Sequence, residues 1–333
     1  MKAMQLGQAS SGRSSYLVAG KAVAATVIMG VGVGVLPLVP PLLVPLLPLP
    51  AAYVLALGGW KPAAVVVLGS SLLIYLGAGP ALAVFVCLLL AGLSLTLGYS
   101  LRRGWDFARS LGAVSGGACG ALVLWGLFVW QALGVGVSEL RESLTASIDA
   151  VATRYADLGM SQATAEAVAE RMRELVGLAG YLAPGVVGMG SILLAACCLG
   201  LVYVMFPRTR ARLKAAYRLS EFRLHWVVAY VTIIGLALLL LAAGKGSWGN
   251  LPTYVGVDLL LVSQTLFFLQ GLAVTHALAT RRGLRRASRV ALYATALIAQ
   301  LLTQLTGLFG LLDTWFDYRR RFALRSPGAG QVG

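Results

Sequence analysis

Apolar runs of about 20 residues recur along most of this 333-residue chain, and they constrain its fold more than anything else. Each is long enough to cross a hydrocarbon core of about 30 Å as a helix. Inside lipid, every backbone polar group must be satisfied within the spanning structure, which leaves helices or a closed barrel. Barrel strands show about ten residues of alternating polarity. These runs are longer and uniformly apolar, so the fold class is all-α, a polytopic transmembrane helical bundle. The charge content agrees. Only 12% of residues are charged and mean hydropathy is +0.83, whereas a soluble domain carries roughly 25% charged residues.

Nine runs are expected to span, at roughly 19–37, 40–58, 62–78, 80–100, 110–133, 179–206, 225–244, 252–279 and 290–311. The first, behind Lys2, Arg13 and Lys21, lacks a clean small-residue cleavage site and reads as a retained helix. If the spans alternate, Arg102, Arg103, Arg109 and the clusters at 208–223 and 281–289 share one side with Lys2, Arg13, Lys21 and Lys61. That side holds 18 of the 27 basic residues, so it is expected to be cytoplasmic, with the N-terminus inside and the chain in the inner (plasma) membrane. The odd span count puts Arg319, Arg320, Arg321 and Arg325 outside, against this pattern. Asp313 and Asp317 precede them at helical spacing and would offset part of that charge. Trp315 and Tyr318 would sit in the aromatic belt.

The net charge of +15 does not mark a nucleic-acid binder. The basic residues lie in short connectors, where membrane lipids are the natural partners, and no separate basic domain exists. Segment 134–178 is different, with seven of the twelve acidic residues. Leu140, Leu144, Ile148, Val151, Tyr155 and Leu158 recur at spacings of three and four, giving one apolar stripe. Gly159 breaks the chain, Ser161 can cap a second helix, and Val168, Met172 and Leu175 carry a stripe into the sixth span. This predicts an external amphipathic helical hairpin, serving either as an interfacial connector or as a lid. The expected organisation is a five-span bundle over 1–133, the hairpin over 134–178, a four-span region over 179–323 and a disordered tail over 324–333.

Six of the twelve prolines, Pro37, Pro40, Pro41, Pro45, Pro48 and Pro50, fall within fourteen residues. Each removes a backbone donor and clashes with the preceding turn, so the outer part of span two cannot be a regular helix. Irregular backbone at membrane depth must be buried in protein or line a cavity. Broken helices point to transporter binding sites, which makes Pro41 and Pro45 substrate-site candidates beside the alternative of a kinked packing helix. Asp258 lies inside the eighth run, and intramembrane ionisable groups are costly. At about 100° per residue, Asp258, Thr265 and His276 share one helix face. Asp258 and His276 are about 27 Å apart at 1.5 Å per residue, too far for one site. Asp258 and Thr265 are therefore substrate-binding candidates, together with Gln300 and Gln304 on the ninth run. The two glutamines could equally join helices by hydrogen bonds.

Small-residue repeats at Gly30/Gly34 and at Gly112/Gly116/Gly120 predict close helix seams. Cys87, Cys119, Cys197 and Cys198 sit in apolar runs without a C-x-x-C pair, as small buried hydrophobes do. There is no G-x-S-x-G, H-E-x-x-H or G-x-x-x-x-G-K-[ST] pattern. With only His225 and His276, no multi-histidine metal site can form. Neither an enzyme nor a cofactor is expected.

Three stretches together carry a family resemblance. They are the Pro-rich second span running through Leu49-Pro50 and Gly58-Gly59 towards 77–80, the Phe222-Arg223-Leu224-His225-Trp226 segment, and Phe268-Leu269-Gln270-Gly271-Leu272-Ala273-Val274-Thr275-His276 with the ending Gly310-Leu311-Leu312-Asp313-Thr314-Trp315-Phe316-Asp317-Tyr318-Arg319. Over nearly its whole length the chain resembles the YybS-like family of bacterial membrane proteins. That family's N-terminal half is similar to the substrate-capture (S) subunits of energy-coupling-factor transporters. The resemblance implies capture or transport of a small molecule. It also implies a partner membrane subunit, docked at Gly30 and Gly34, and a separate ATPase. The expectation is therefore substrate capture or transport through an outward-opening cavity. The alternative is a non-transporting scaffold that binds proteins through the hairpin or the basic connectors. An enclosed, partly polar pocket separates the two.

Overall fold

The structure is a computed structural model, which describes residues 19–27, 44–132, 134–157, 159, 161–205, 219, 222–244, 251–316 and 318. Every regular element among them is helical. After α1 (19–27) and a 3-10 turn, Val44–Leu46, the helices are α2 (Leu49–Gly58), α3 (Trp60–Ala78), α4 (Pro80–Arg103), α5 (Phe107–Ala132) and α6 (Val137–Asp157). They continue with α7 (Gln162–Met205), α8 (Val227–Gly244), α9 (Leu251–Arg281), α10 (Arg286–Thr303) and α11 (Leu305–Phe316). Six helical windows are long and apolar enough to cross a membrane: Trp60–Gly77, Pro80–Arg103, Phe107–Ala132, Gly180–Met205, Val227–Gly244 and Leu251–Arg281. Each coincides with an expected span. The nine-span count does not carry over. Much of the first run, with Gly30 and Gly34, lies outside the described residues, as does Pro41, and α2 is only about 15 Å long at 1.5 Å per residue.

The ninth run also departs from expectation. α10 and α11 do not form one straight span but meet at an angle of 100°. The hinge is Gln304, the one described non-glycine residue with positive φ, at 56°. No proline marks it. It is held from both sides: Gly307 N–H donates to Gln300 Oε1 at 2.8 Å, and the Thr306 hydroxyl donates to the Ala296 carbonyl at 2.6 Å. α11 is thereby folded onto the middle of α9, with the backbones of Gly271 and Gly310 pressed against Thr306 and Phe267.

Prolines shape the start of α2 as their chemistry requires. The α-helix begins only at Leu49, where the Pro48 carbonyl accepts the Ala52 N–H at 2.9 Å, and side-chain donors reach the carbonyls of this turn as well. Ser94 Oγ donates to the Pro48 carbonyl at 3.1 Å, and Cys198 Sγ to that of Pro45 at 3.3 Å. Pro45 is thus buried against α7. Gly59 and Gly79, at φ of 85° and 88°, make the one-residue breaks on either side of α3.

One core cluster runs through the whole molecule. Leu49, Leu93, Leu97 and Val114 of the N-terminal helices pack with Ile192, Ala195 and Leu199 of α7 and with Phe268 and Ala273 of α9. A second cluster joins Ala19 and Ala22 to Ala51, Val66, Val86 and Leu90. The expected Gly112/Gly116/Gly120 seam is absent. Those three glycines face outward, and a Cβ added to any of them would meet nothing within 4 Å, whereas Gly117 and Gly92 touch backbone to backbone. A small-x-x-x-small repeat records where close approach is allowed, not which face the partner helix takes.

α7 is 44 residues long and runs through Pro184 without a break. Its first half pairs with α6. Arg173 clasps them, reaching Asp149 at 2.7 Å, Glu170 at 2.9 Å and Glu166 at 3.0 Å. Hydrogen bonds to Asp149, and then to Glu166 and Glu170, push the Arg173 pKa above its ordinary value. Small Ala165 and Ala169 are buried, while Leu144, Val151, Tyr155, Met172 and Leu175 stay exposed. Leu158 lies outside the described residues.

Candidate functional site

Gln270 of α9, 1% exposed, is the largest polar side chain to be fully buried among the described residues. A glutamine amide buried in an apolar bundle must satisfy both its acceptor and its donors. Here Oε1 accepts the Leu224 N–H at 3.2 Å, while Nε2 donates to Asp313 Oδ2 and to Thr314 Oγ1, each at 3.3 Å. Gln270 therefore ties together the 222–226 segment, α9 and α11, the three C-terminal stretches that the family resemblance rests on. Asp313 is 5% exposed. A straight ninth span would place it near the membrane surface beside the terminal arginines; the fold of α11 back onto α9 draws it into the core instead.

Among the described residues, two of the cavities are half-open clefts in the bundle surface, each of about 390 Å³. The first lies between the α2–α3 junction and the α4–α5 pair. Leu55, Leu95, Thr96 and Ala113 line its apolar part; Trp60, Tyr99 and Trp105 supply aromatic faces, and Arg102 the one charge. The connector from α4 to α5 brings Arg102 and Trp105 there. Tyr99 and Trp105 meet edge to face at 5.4 Å, and Arg103 lies 5.2 Å from the Tyr99 ring centroid. The second cavity lies in the crook of the elbow, between α9, α10 and α11, with Tyr318 on its wall.

The residues singled out in the sequence do not converge. Asp258 faces α7, its Cα and carboxyl so close to Gly185 that a Cβ there would meet Asp258 Cα at 2.7 Å. Its Oδ1 is buried without a well-directed hydrogen bond. Thr265 is buried, its hydroxyl donating to the Leu261 carbonyl of its own helix at 2.7 Å. Val262, one turn on from Asp258, packs against Gly188 of α7, so the shared face of Asp258 and Thr265 turns towards that helix. Gln300 and Gln304 belong to the elbow, and Gln264 Nε2 of α9 reaches the Gln304 carbonyl at 3.5 Å. Pro45 is packed in the core and lines neither cavity. Among the described residues no cluster of three His, Cys, Asp or Glu side chains could hold a metal ion.

Sequence reasoning missed Gln270 as a hub and missed the aromatic cavity. The first had a signal, since Gln270 and Asp313 stand in the two most distinctive motifs. The second had only a weak one: Trp60, Tyr99 and Trp105 flank basic clusters, as belt aromatics do in any membrane protein. A family model described as a predicted membrane protein (DUF2232) matches residues 23–314. No curated protein and no solved structure matches the chain.

Proposed function

The chain belongs to the DUF2232 family of predicted membrane proteins, and we propose that it captures a small amphiphilic anion in the cavity between α2 and α5. The observation that carries this reading is the lining. Ligand pockets of about 300–1,000 Å³ are mostly apolar with a few convergent polar groups, and here three aromatic rings and the Arg102 guanidinium meet an apolar floor. A guanidinium offers a planar fork of donors suited to a carboxylate or phosphate. Arg102 has no ion-pair partner among the described residues.

Orientation belongs to the same reading. The positive-inside rule assigns the Arg102–Arg109 connector to the cytoplasm, so the cavity lies towards the cytoplasmic side and not at the outer, proline-rich end first expected. The elbow brings Tyr318 into a cavity shared with Leu278 and Leu292, near the Arg281–Arg289 turn. Tyr318 then falls on the cytoplasmic side, opposite to where a straight ninth span would carry it. A partner membrane subunit at Gly30 and Gly34 with its own ATPase would supply the driving force for transport. A scaffold role has one observation in its favour: the α6–α7 hairpin leaves a row of large apolar side chains exposed.

Native mass spectrometry of the purified full chain tests capture. The expected result is a co-purifying small molecule that is lost on Arg102→Gln and on Ala113→Trp, which fills the cavity. Equal retention by both variants, or a wild-type chain that carries nothing while the hairpin recovers a protein partner, would favour the scaffold.

A further inference from the structure

We propose that the elbow cavity is a second binding site, independent of the first, which takes the apolar chain of an anionic lipid and holds its headgroup at the α9–α10 turn. The lining explains the chain. Hydroxyls are the only polar side-chain groups on the walls formed by α9, α10 and α11, and all three are committed within the protein: Thr275 to the Gly271 carbonyl and Thr295 to the Ala291 carbonyl, each at 2.9 Å, and Thr306 to the Ala296 carbonyl at 2.6 Å. No threonine donor is left to recognise a polar ligand, so these walls suit hydrocarbon.

The shape explains how a chain would lie. The cavity runs along α9 from Gly271 to Leu278 and along α10 from Leu292 to Ala299. Seven residue steps on each helix give a depth of about 10 Å at 1.5 Å per residue. Leu305 and Thr306 of the elbow stand at the deep end. α10 buries none of its residues completely, although Leu292, Ala296 and Ala299 face α9 at helical spacing. A helix with a continuous inner stripe and no buried residue has room between itself and its neighbour.

Charge explains the headgroup. One turn below Leu278 and Leu292 the chain carries Arg281, Arg282, Arg285, Arg286 and Arg289, and no acidic residue occurs between Asp258 and Asp313. Arg282, Arg285 and Arg286 are exposed and have no ion-pair partner among the described residues. Arg289 is held in place, with its Nε donating to the Leu284 carbonyl at 2.8 Å. Basic residues beside a membrane surface attract anionic lipids, and here they rim an apolar slot open to a chain.

The full-length protein in detergent, titrated with phosphatidylglycerol and with phosphatidylcholine of the same chain length, tests this by native mass spectrometry. Phosphatidylglycerol is expected to be retained at least about tenfold better. Arg285→Gln with Arg286→Gln should remove that preference, and Ala296→Trp should remove retention itself. Ala299→Leu, a smaller filling, carries the same expectation where the tryptophan disturbs assembly on size exclusion. Ala113→Trp, which fills the other cavity and removes its small molecule, should leave lipid retention as it is, so loss of lipid can be told from loss of the first site. Inorganic phosphate at matched concentration should not compete. Equal retention of the two lipids, full retention by both filled variants, or competition by phosphate alone would each overturn the proposal.

Discussion

At the scale of single residues, glycines and one glutamine carry the tightest constraints. A Cβ on Gly271 or Gly310 would drive into the carbonyls of Thr306 or Phe267, backbone atoms that cannot rotate away. Gly271→Ala and Gly310→Ala should each destabilise towards the upper end of the about 1–3 kcal/mol typical of overpacking. Gly112→Ala, where nothing lies within reach, should gain up to about 1 kcal/mol from helix propensity. Thermal unfolding in detergent separates these outcomes, and a fall in melting temperature for Gly112→Ala would contradict the outward-facing stripe. Gln270→Leu removes three hydrogen bonds and strands buried partners, so a loss of about 2–4 kcal/mol is expected. A silent Gln270→Leu would remove the hub from the account of the fold. Which of these positions matter was only half legible in the sequence. Gln270 and Gly271 stood out as a motif, but the repeat at Gly112/Gly116/Gly120 looked equally meaningful. Spacing along one helix shows which residues share a face; the neighbour that covers the face is set by tertiary packing.

At the scale of elements, the elbow is the feature that the sequence concealed. Six described helices follow their apolar runs because hydrophobic length alone fixes a span. The run 290–311 is just as apolar, yet it bends by 100° at a glutamine. Nothing local demands that bend; it follows from side-chain bonds at Gln300 and Thr306 and from glycine contacts across to α9. A left-handed conformation costs an L-residue roughly 1–2 kcal/mol. Gln304→Gly is therefore expected to raise stability by about 1 kcal/mol, while Gln304→Val lowers it, both read from unfolding curves. If both changes lowered it equally, the Gln304 side chain would matter more than its backbone. Topology offers a second check. Single cysteines placed at Ser288 and Tyr318 should be labelled from the same side of the membrane, and labelling from opposite sides would restore a spanning ninth run.

The hairpin has its own test. The Arg173 carboxylate clasp raises the folded-state pKa of the arginine. For a base whose pKa is raised, the stabilisation is fully present below the unfolded value and is lost only as pH rises through the folded one. It therefore persists over the whole physiological range. Arg173→Gln should speed amide exchange in the first half of α7, and about 1 M salt should speed exchange in the wild type, since the pairs are exposed to screening. Exchange that ignores both would leave the clasp without a role.

At the scale of the whole molecule, the core does not respect a division into N- and C-terminal membrane regions. Leu93 and Val114 share a cluster with Ile192 of α7 and Phe268 of α9. A chain cut at 134–136 should therefore yield two pieces that aggregate when made separately and co-purify when made together. Independent folding of the first piece would show that its cluster closes without α7 and α9. α7 itself joins more than the core. At 1.5 Å per residue, its 44 residues make a rod about 66 Å long, more than twice the thickness of the hydrocarbon layer. Cys198 and Leu199, near one end, touch the proline turn and the N-terminal helices, while the other end carries the Arg173 clasp. Such a rod is a lever with unequal arms. A tilt of about 5° at the embedded end sweeps the far tip through about 6 Å, so whatever leans on the hairpin exerts torque on the packing around Pro45.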